Sequence, residues 1–232
     1  MLDFDSFRVL TFDCYGTLIN WEAGILGCLR PLLQSHGKNL SDDQILQIYA
    51  GLEREQESGE YIPYRRVLEN VVLGFGQKLG FCPTQVEAAS LPESLKVWQP
   101  FPDTVEALRT LKSRYQLVIL SNTDDDLFAH TAKLLEVPFD HVITAQQAGS
   151  YKPSPRNFEL ALKRVGRPKS EVLHVAESLH HDIAPARELG LATVWIHRRK
   201  KGFGATWPGD AQPDVELPDL ASLADLGVPV PE

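Results

Sequence analysis

The stretch that most restricts the fold of this chain is Val9-Leu-Thr-Phe-Asp13-Cys-Tyr15-Gly16-Thr17-Leu-Ile19. An apolar, β-prone run ends in a carboxylate, and a glycine turn follows at once. The pattern predicts a buried strand whose carboxyl end opens into a loop. In open α/β sheets, ligands bind in the crevice at the carboxyl ends of the strands. An aspartate at such a place can act as a nucleophile that forms an ester with its substrate. It can equally do no more than cap the turn that follows. The two readings separate only on what recurs at the ends of later strands.

The chain between residues 20 and 100 reads as helical, with no convincing strand. Trp21 to His36 carries Ile25, Leu26, Leu29, Leu32 and Leu33 at helical spacing. Ser41-Asp-Asp-Gln44 is a capping-box start for a helix running through Glu55. Further helical pattern covers Tyr64 to Leu79 and Pro83 to Val97. A block of helices placed straight after the first strand predicts a cap over the strand ends.

From Pro102 the pattern alternates. Asp103–Lys112 is an amphipathic helix, Leu117–Leu120 a strand ending in Ser121-Asn122-Thr123, and Asp124–Glu136 a helix. His141–Thr144 is a strand, Ser154–Val165 a helix after Lys152-Pro153, and Val172–Val175 a strand ending at Glu177-Ser178. Asp182–Leu189 is a helix closed by Gly190, and Ala192–Ile196 a strand. Val215–Leu217 and a helix over Leu220–Leu226 close the series. Strand and helix in alternation predict an α/β fold with a parallel sheet covered on both faces. Gly202 to Pro213 reads as a surface loop.

Composition narrows the partners. The net charge of -8 over 232 residues argues against nucleic acid or an anionic membrane surface as partner. The basic run Arg198-Arg-Lys-Lys201 is expected to be a solvated loop. No apolar run approaches the roughly 18–20 residues that span a bilayer. The first residues lack the pattern of a signal peptide. The three cysteines, Cys14, Cys28 and Cys82, have no disulfide or zinc spacing and fit a reducing cytoplasm. Cys14, beside Asp13, is either a reactive thiol or a small buried spacer.

Polar residues gather at four strand ends: Asp13, Ser121-Asn122, Lys152, and the segment from Glu177 to Asp182. Parallel strands bring these ends to one sheet edge. Ser121 and Asn122 can hydrogen-bond an oxyanion or leaving group, or serve only as a helix cap. Lys152 can hold Asp13 ionised, or be a solvated loop lysine. Glu177 and Asp182 can activate water or hold a cation, and Asp182 can be a helix-start charge favoured by the dipole.

In this order the motifs Asp13-x-Tyr-Gly-Thr17, Leu-Ser121-Asn122, Lys152-Pro153 and Val-Ala-Glu177-Ser-Leu-His-His-Asp182 resemble those of the haloacid dehalogenase superfamily of aspartate-nucleophile hydrolases. The resemblance spans about residues 5 to 225. It implies a Rossmann-like core with the first strand central, flanked by the strands ending at Ser121 and Glu177. Phosphatases of that superfamily usually carry a second aspartate two residues after the nucleophile. Tyr15 stands there, and its phenol, with an ordinary pKa near ~10, is a poor acid–base at neutral pH. Tyrosine at that place is typical of the 2-haloacid dehalogenase branch, in which the aspartate attacks carbon and a halide leaves without a proton. The sequence departs from that branch elsewhere. Tyr49–Gly51 falls where the branch has a halide-holding arginine, with Arg54 the nearest arginine. Phe158 replaces a tyrosine, and Glu177-Ser178-Leu179 replaces Ser-Ser-Asn. Glu177 sits where magnesium-dependent phosphatases have an acid. The runs around Asp13, Lys152 and Asp182 are also similar to azetidine-2-carboxylate hydrolases, in which the aspartate opens a strained cyclic amine.

The resulting expectation is a core over residues 1–18 and 99–232 with a helical cap over 19–98. Asp13, Lys152, Asp182 and Glu177 are the expected catalytic residues. Cys14, Tyr15, Thr17, Ser121, Asn122 and His181 are expected to bind a small carboxylic acid. The carbon-attack reading needs no cofactor. The phosphatase alternative would place Mg2+ on Asp13, Glu177 and Asp182. A family member serving only as a binding module is a further alternative. Arg54, Tyr61, Tyr64 and Arg65 are candidate specificity residues of the cap, and a homodimer is implied by the resemblance.

Overall fold

The computed structural model describes residues 2–198 and 209–228. The opening run forms β1 (Val9–Phe12), all four residues of which are buried. Four helices follow: α1 (Trp21–Ser35), α2 (Asp42–Glu57), α3 (Tyr64–Leu79) and α4 (Gln85–Ser94). The alternating part contains α5 (Thr104–Lys112), β2 (Gln116–Ser121), α6 (Asp125–Leu135), β3 (His141–Thr144), a short α7 (Ala145–Ala148) and α8 (Pro155–Val165). It ends with β4 (Val172–Ala176), α9 (Ala184–Glu188), β5 (Ala192–Ile196), β6 (Val215–Leu217) and α10 (Leu220–Gly227).

The strands form one parallel sheet in the order β3-β2-β1-β4-β5-β6. The Rossmann-like α/β architecture therefore stands, with β1 between the strands that end at Ser121 and lead to Glu177. Side chains alternate across a strand. Val9 accordingly joins Val118, Leu120 and Phe158 on one face, whereas Leu10 and Phe12 join a larger cluster on the other. That larger cluster continues without a break into Ile25, Leu29, Val67 and Val71 of the helical insert. The insert thus shares its apolar interior with the sheet.

Local signals set the helix starts. Ser41 and Gln44 form the expected capping box, and Thr84 with Glu87 forms a second. Helix α3 follows Pro63 and has no cap of its own. Its first amides are satisfied from the sheet side: the buried Asp124 carboxylate accepts from Tyr64 N at 3.0 Å and Arg65 N at 2.9 Å. A carboxylate at a helix start also favours the dipole. The chain leaves and re-enters the sheet unit side by side, with Asn20 N donating to Gln99 O and Phe101 N to Leu18 O. Gly24 lies so close to Trp98 that a Cβ there would come within 2.4 Å of the indole.

Two expectations change. The helix read over Asp182–Leu189 begins earlier, as a wide turn over Leu179–Ile183 that leads into α9. The cause is Ser178, whose hydroxyl accepts from His181 N at 3.0 Å and caps the turn. Asp182 is thereby drawn inside the turn. The basic run is also different at its first residue. Arg198 donates to both carboxylate oxygens of Asp103 at 2.7 and 2.8 Å and to Thr17 O at 3.0 Å, and it lies over the Phe101 ring. It is a structural clamp rather than a solvated charge, because a planar guanidinium matches a carboxylate edge with two parallel bonds. Residues 199–201, and the first part of the loop read over 202–213, lie outside the described residues.

Candidate active site

Asp13 follows β1 directly, and its amide donates to Val175 O of the neighbouring strand. The side chain, 8% exposed, is held at both oxygens. Lys152 Nζ donates to Oδ1 at 2.8 Å, and Thr17 Oγ1 donates to Oδ2 at 2.7 Å. Lys152 is 2% exposed, and its other two contacts are Asp182 Oδ1 at 2.6 Å and Leu120 O at 3.0 Å. An ammonium has three protons, so its donors are fully spent. Asn122 fixes this lysine from behind. Its Oδ1 accepts from Lys152 N at 2.7 Å, and its Nδ2 donates to Lys152 O at 3.2 Å.

The rail continues inward. His174 Nε2 meets Asp182 Oδ1 at 3.1 Å, and His174 Nδ1 meets Thr11 Oγ1 at 2.9 Å. Thr11 and His174 are register partners on β1 and β4, so strand pairing itself sets that contact. Sequence reading placed His174 only within a strand. Its signal was available: one imidazole inside an otherwise apolar Val172-Leu-His-Val175 run.

Two carboxylates and one ammonium leave the buried trio net negative. Burial pushes the Asp13 carboxyl up, Lys152 pulls it down, and the Asp182 charge adds to the rise. Asp182 is held below the ordinary carboxylate range despite burial, by Lys152 and by the His174 hydrogen bond. Burial acts against the Lys152 ammonium, but the two carboxylates outweigh it and keep it charged. Asp182 is thus the more firmly ionised of the two carboxylates, and Asp13 the more basic.

A cavity of about 50 Å³ opens beside Asp13. Of the expected site residues, Asp13, Tyr15, Ser121, Asn122, Lys152, Glu177, His181 and Asp182 line it. Cys14 and Thr17 do not. Cys14 is fully buried, and burial and the Asp13 charge push its thiol up, so it is a spacer rather than a reactive thiolate. Thr17 is buried behind Asp13, and its hydroxyl also accepts from Glu177 N at 2.9 Å. Tyr15 OH is engaged with Thr131 Oγ1 at 2.8 Å, and burial pushes its ionisation up. Burial lowers the pKa of His181 to about 4, so it is neutral at neutral pH. Gly16, at φ +100°, lets the chain turn where a side chain would press on Trp21 and approach Glu177.

The insert supplies the opposite wall through Trp21, Glu53, Glu57 and Tyr64. Of the cap candidates, only Tyr64 faces the cavity. Arg54 is exposed, Arg65 pairs with Glu93 and Asp126 on the outside, and Tyr61 reaches toward Asp124. The two glutamates were missed, although Tyr49, Glu53 and Glu57 recur at a spacing of four and so share one helix face. Among the described residues, no group of three or more His, Cys, Asp or Glu side chains could hold a metal ion. Two of the three carboxylates named for magnesium, Asp13 and Asp182, share the Lys152 ammonium. Among the described residues no helix is long and apolar enough to cross a membrane.

A family model described as haloacid dehalogenase-like hydrolase matches residues 7–190. The haloacetate dehalogenase H-2 of Moraxella sp. (strain B) is 28% identical over 225 residues, covering 94% of this chain and 97% of its own. An (S)-2-haloacid dehalogenase of Pseudomonas fluorescens is 26% identical over 222 residues, covering 92% and 93%. Among solved structures, the L-2-haloacid dehalogenase from Xanthobacter autotrophicus superposes with a TM-score of 0.80 at 20% identity, covering 95% of this chain and 98% of that one. The last likeness speaks for the fold, the first two for sequence kinship along nearly the whole length. With the family match covering Asp13, Lys152 and Asp182 alike, this chain belongs to the haloacid dehalogenase-like hydrolases.

Proposed function

We propose that Asp13 attacks a saturated carbon of a small carboxylic acid, as in 2-haloacid dehalogenation, and that the enzyme passes through an aspartyl ester. The observation that carries this reading is the pairing of a clamped Asp13 with an unavailable Tyr15. Asp13 is held at both oxygens, whereas the residue two positions on is a tyrosine tied to Thr131 that ionises only far above neutral pH. No proton reaches a leaving group from that side, which suits a leaving group that departs as a stable anion. One Asp13 oxygen forms a C–O bond while the carbon–halogen bond breaks and the halide takes the electron pair. Water then adds to the Asp13 carbonyl carbon. The hydroxy acid leaves, Asp13 returns as a carboxylate, and one proton is released.

The division of labour follows from the contacts. Lys152 and Thr17 fix the attack direction, and holding nucleophile and carbon in line supplies an effective molarity of about 10⁵ M or more. Ser121 and the amides after Asp13 are assigned to the substrate carboxylate. Neutral His181 and Glu177 face the cavity and are assigned to the hydrolytic water. Asp182 acts through Lys152. The nucleophile unit over 1–18 and 99–232 and the cap over 19–98 are proposed as the two domains, supported by the adjacent crossings at Asn20–Gln99 and Leu18–Phe101. A reducing compartment is supported by three unpaired cysteines.

The test is product release with and without chelator from 2-haloacids, azetidine-2-carboxylate and an aryl phosphate, using wild type and Asp13→Asn. Halide or ring-opened product that survives chelator and disappears in the variant is expected. Phosphate release that requires magnesium would overturn the reading.

A further inference from the structure

Arg198 sits where the chain crosses between the sheet and the insert, and the reaction as drawn above does not use it. Its side chain is 8% exposed. Nη1 donates to Asp103 Oδ1 and Oδ2 at 2.7 and 2.8 Å, and Nε donates to Thr17 O at 3.0 Å. The guanidinium also covers the Phe101 ring at 4.3 Å. Asp103 is fixed in turn, since its Oδ2 accepts from Leu220 N at the start of α10 at 2.8 Å. A guanidinium is a rigid planar fork. With one branch seated on Asp103 and one face on Phe101, the direction of Nε is set, and it points at the Thr17 carbonyl.

Thr17 joins this clamp to the nucleophile. Its carbonyl faces Arg198, and its hydroxyl faces Asp13. The hydroxyl has a single proton. Glu177 N donates to Thr17 Oγ1 at 2.9 Å, so that proton goes to Asp13 Oδ2, at 2.7 Å. A β-branched side chain has few χ1 choices, so the backbone placement of Thr17 decides where Oγ1 points. Gly16, just before it, stands at φ +100° and has no side chain to restrict the peptide. The bond from Arg198 to the Thr17 carbonyl supplies the restraint that the glycine leaves out.

We propose that Arg198 is a positioning residue for the reaction: by holding the Thr17 carbonyl it aims the Thr17 hydroxyl at Asp13 Oδ2 and so sets the direction of attack. The proposal rests on the carbon-attack reading only for Asp13 being the nucleophile. Arg198 acts wholly through Thr17.

The experiment compares wild type with Arg198→Lys, Thr17→Val and the double variant. Lysine keeps the positive charge beside Asp103 but lacks the fork, so a lost field cannot account for a change. On 2-chloropropionate, kcat of Arg198→Lys is expected to fall about ten- to a hundredfold with KM within about twofold, because only the alignment of the attack is lost. The double variant should be no slower than Thr17→Val, since both changes break one path. A second readout needs no turnover. It is the Asp13 signal in carbon NMR spectra of protein labelled at its aspartate carboxyls, identified by its loss in Asp13→Asn. The Thr17 hydrogen bond helps pull the Asp13 carboxyl down against burial, so the titration midpoint should move up in each variant and no further in the double. The other titratable groups facing Asp13 are the same in every variant: Lys152, Asp182, Glu177 and His181 on the sheet side, Glu53, Glu57 and Tyr64 on the insert, and Cys14 and Tyr15 beside it. An unmoved midpoint or an unchanged kcat in Arg198→Lys overturns the proposal. So does a double variant in which the two losses multiply, the mark of a purely structural clamp. Arg198→Gln, which keeps a neutral donor for Asp103, is read in the same way should the lysine variant not fold, and Thr17→Val with an unmoved midpoint overturns the proposal without either. Wild type that leaves 2-chloropropionate intact sinks carbon attack on that acid alone, and the Asp13 titrations still decide the positioning.

Discussion

Replacing Lys152 by methionine leaves an unbranched side chain one atom shorter and removes the one ammonium shared by Asp13 and Asp182. Both carboxylates are buried, at 8% and 1% exposure, and both lose their ion pair at once. Breaking a buried pair by removing one partner costs roughly 3–5 kcal/mol. At about 2–4 °C per kcal/mol for a chain of this size, the melting temperature should fall by roughly 6–20 °C at pH 8. The pH dependence carries the sharper test. In wild type, Asp182 has a folded pKa below its unfolded value near ~3.9, so its stabilisation is full above that value and is lost as pH falls through the folded pKa. Without Lys152, burial dominates for both aspartates, and their folded pKa values rise above the unfolded ones. Their cost is then full at high pH and fades as pH falls through the raised values. The gap between wild type and variant should therefore be large at pH 8 and clearly smaller at pH 5. Adding Asp182→Asn removes one of the two stranded charges and should restore part of the stability. Turnover should stay absent, because Asp13 still lacks its counter-ion. Thermal unfolding at the two pH values, with activity on the best acid of the panel, reads both. An equal gap at pH 5 and pH 8, or a double variant no more stable than the single, would refute the reasoning.

Other consequences are simpler to check. His174→Phe strands Asp182 and Thr11 of one partner each and should cost about 1–3 kcal/mol by denaturant titration, with a loss of kcat larger than any change in KM. Because burial raises the Asp13 carboxyl, kcat/KM should fall as pH drops through a value above the usual aspartate range; an acid limb confined to about pH 4, where His181 takes its proton, would assign the limb to His181 instead. Asp124→Ala removes the acceptor of the first two α3 amides and should cost about 1–2 kcal/mol; hydrogen exchange should quicken at Tyr64 and Arg65 while β1 stays protected.

The sheet was legible in the sequence because its signals are local. Strands Val9–Phe12, His141–Thr144 and Ala192–Ile196 are apolar runs closed by turns, and motif residues at their ends converge simply because the strands are parallel. Asp13, Lys152 and Asp182 could be named for that reason. The cap wall was not legible. A glutamate on an amphipathic helix reads as a solvated charge, and only the packing of α2 against α1 and α3 turns Glu53 inward. Arg54, its neighbour in sequence, is exposed. Ser178 as the cap of the wide turn is a local signal, three residues before His181, that a helix read from Asp182 passes over. Arg198 as a clamp was hidden because its partner, Asp103, is fixed by tertiary structure, and no spacing rule reaches that far.

The central place of β1 has a consequence for how the chain is made. Its two sheet neighbours are β2 and β4, and the lysine that neutralises its terminal aspartate follows 139 positions later. During synthesis the helices α1 to α4 emerge next and find most of their contacts among themselves, so the cap can collapse while β1 is still unpaired. The strand that will hold the nucleophile is then an apolar segment with open edges, a state prone to sticking to other chains. Pairing it requires closing long loops, which slows folding. The site is completed late, since Asp182 arrives after Lys152, with only α9, β5, β6 and α10 still to follow. An arrested chain that ends before β4 should carry a folded cap and no active centre, and its solubility should depend on helpers that cover Val9–Phe12 until the rest of the sheet arrives.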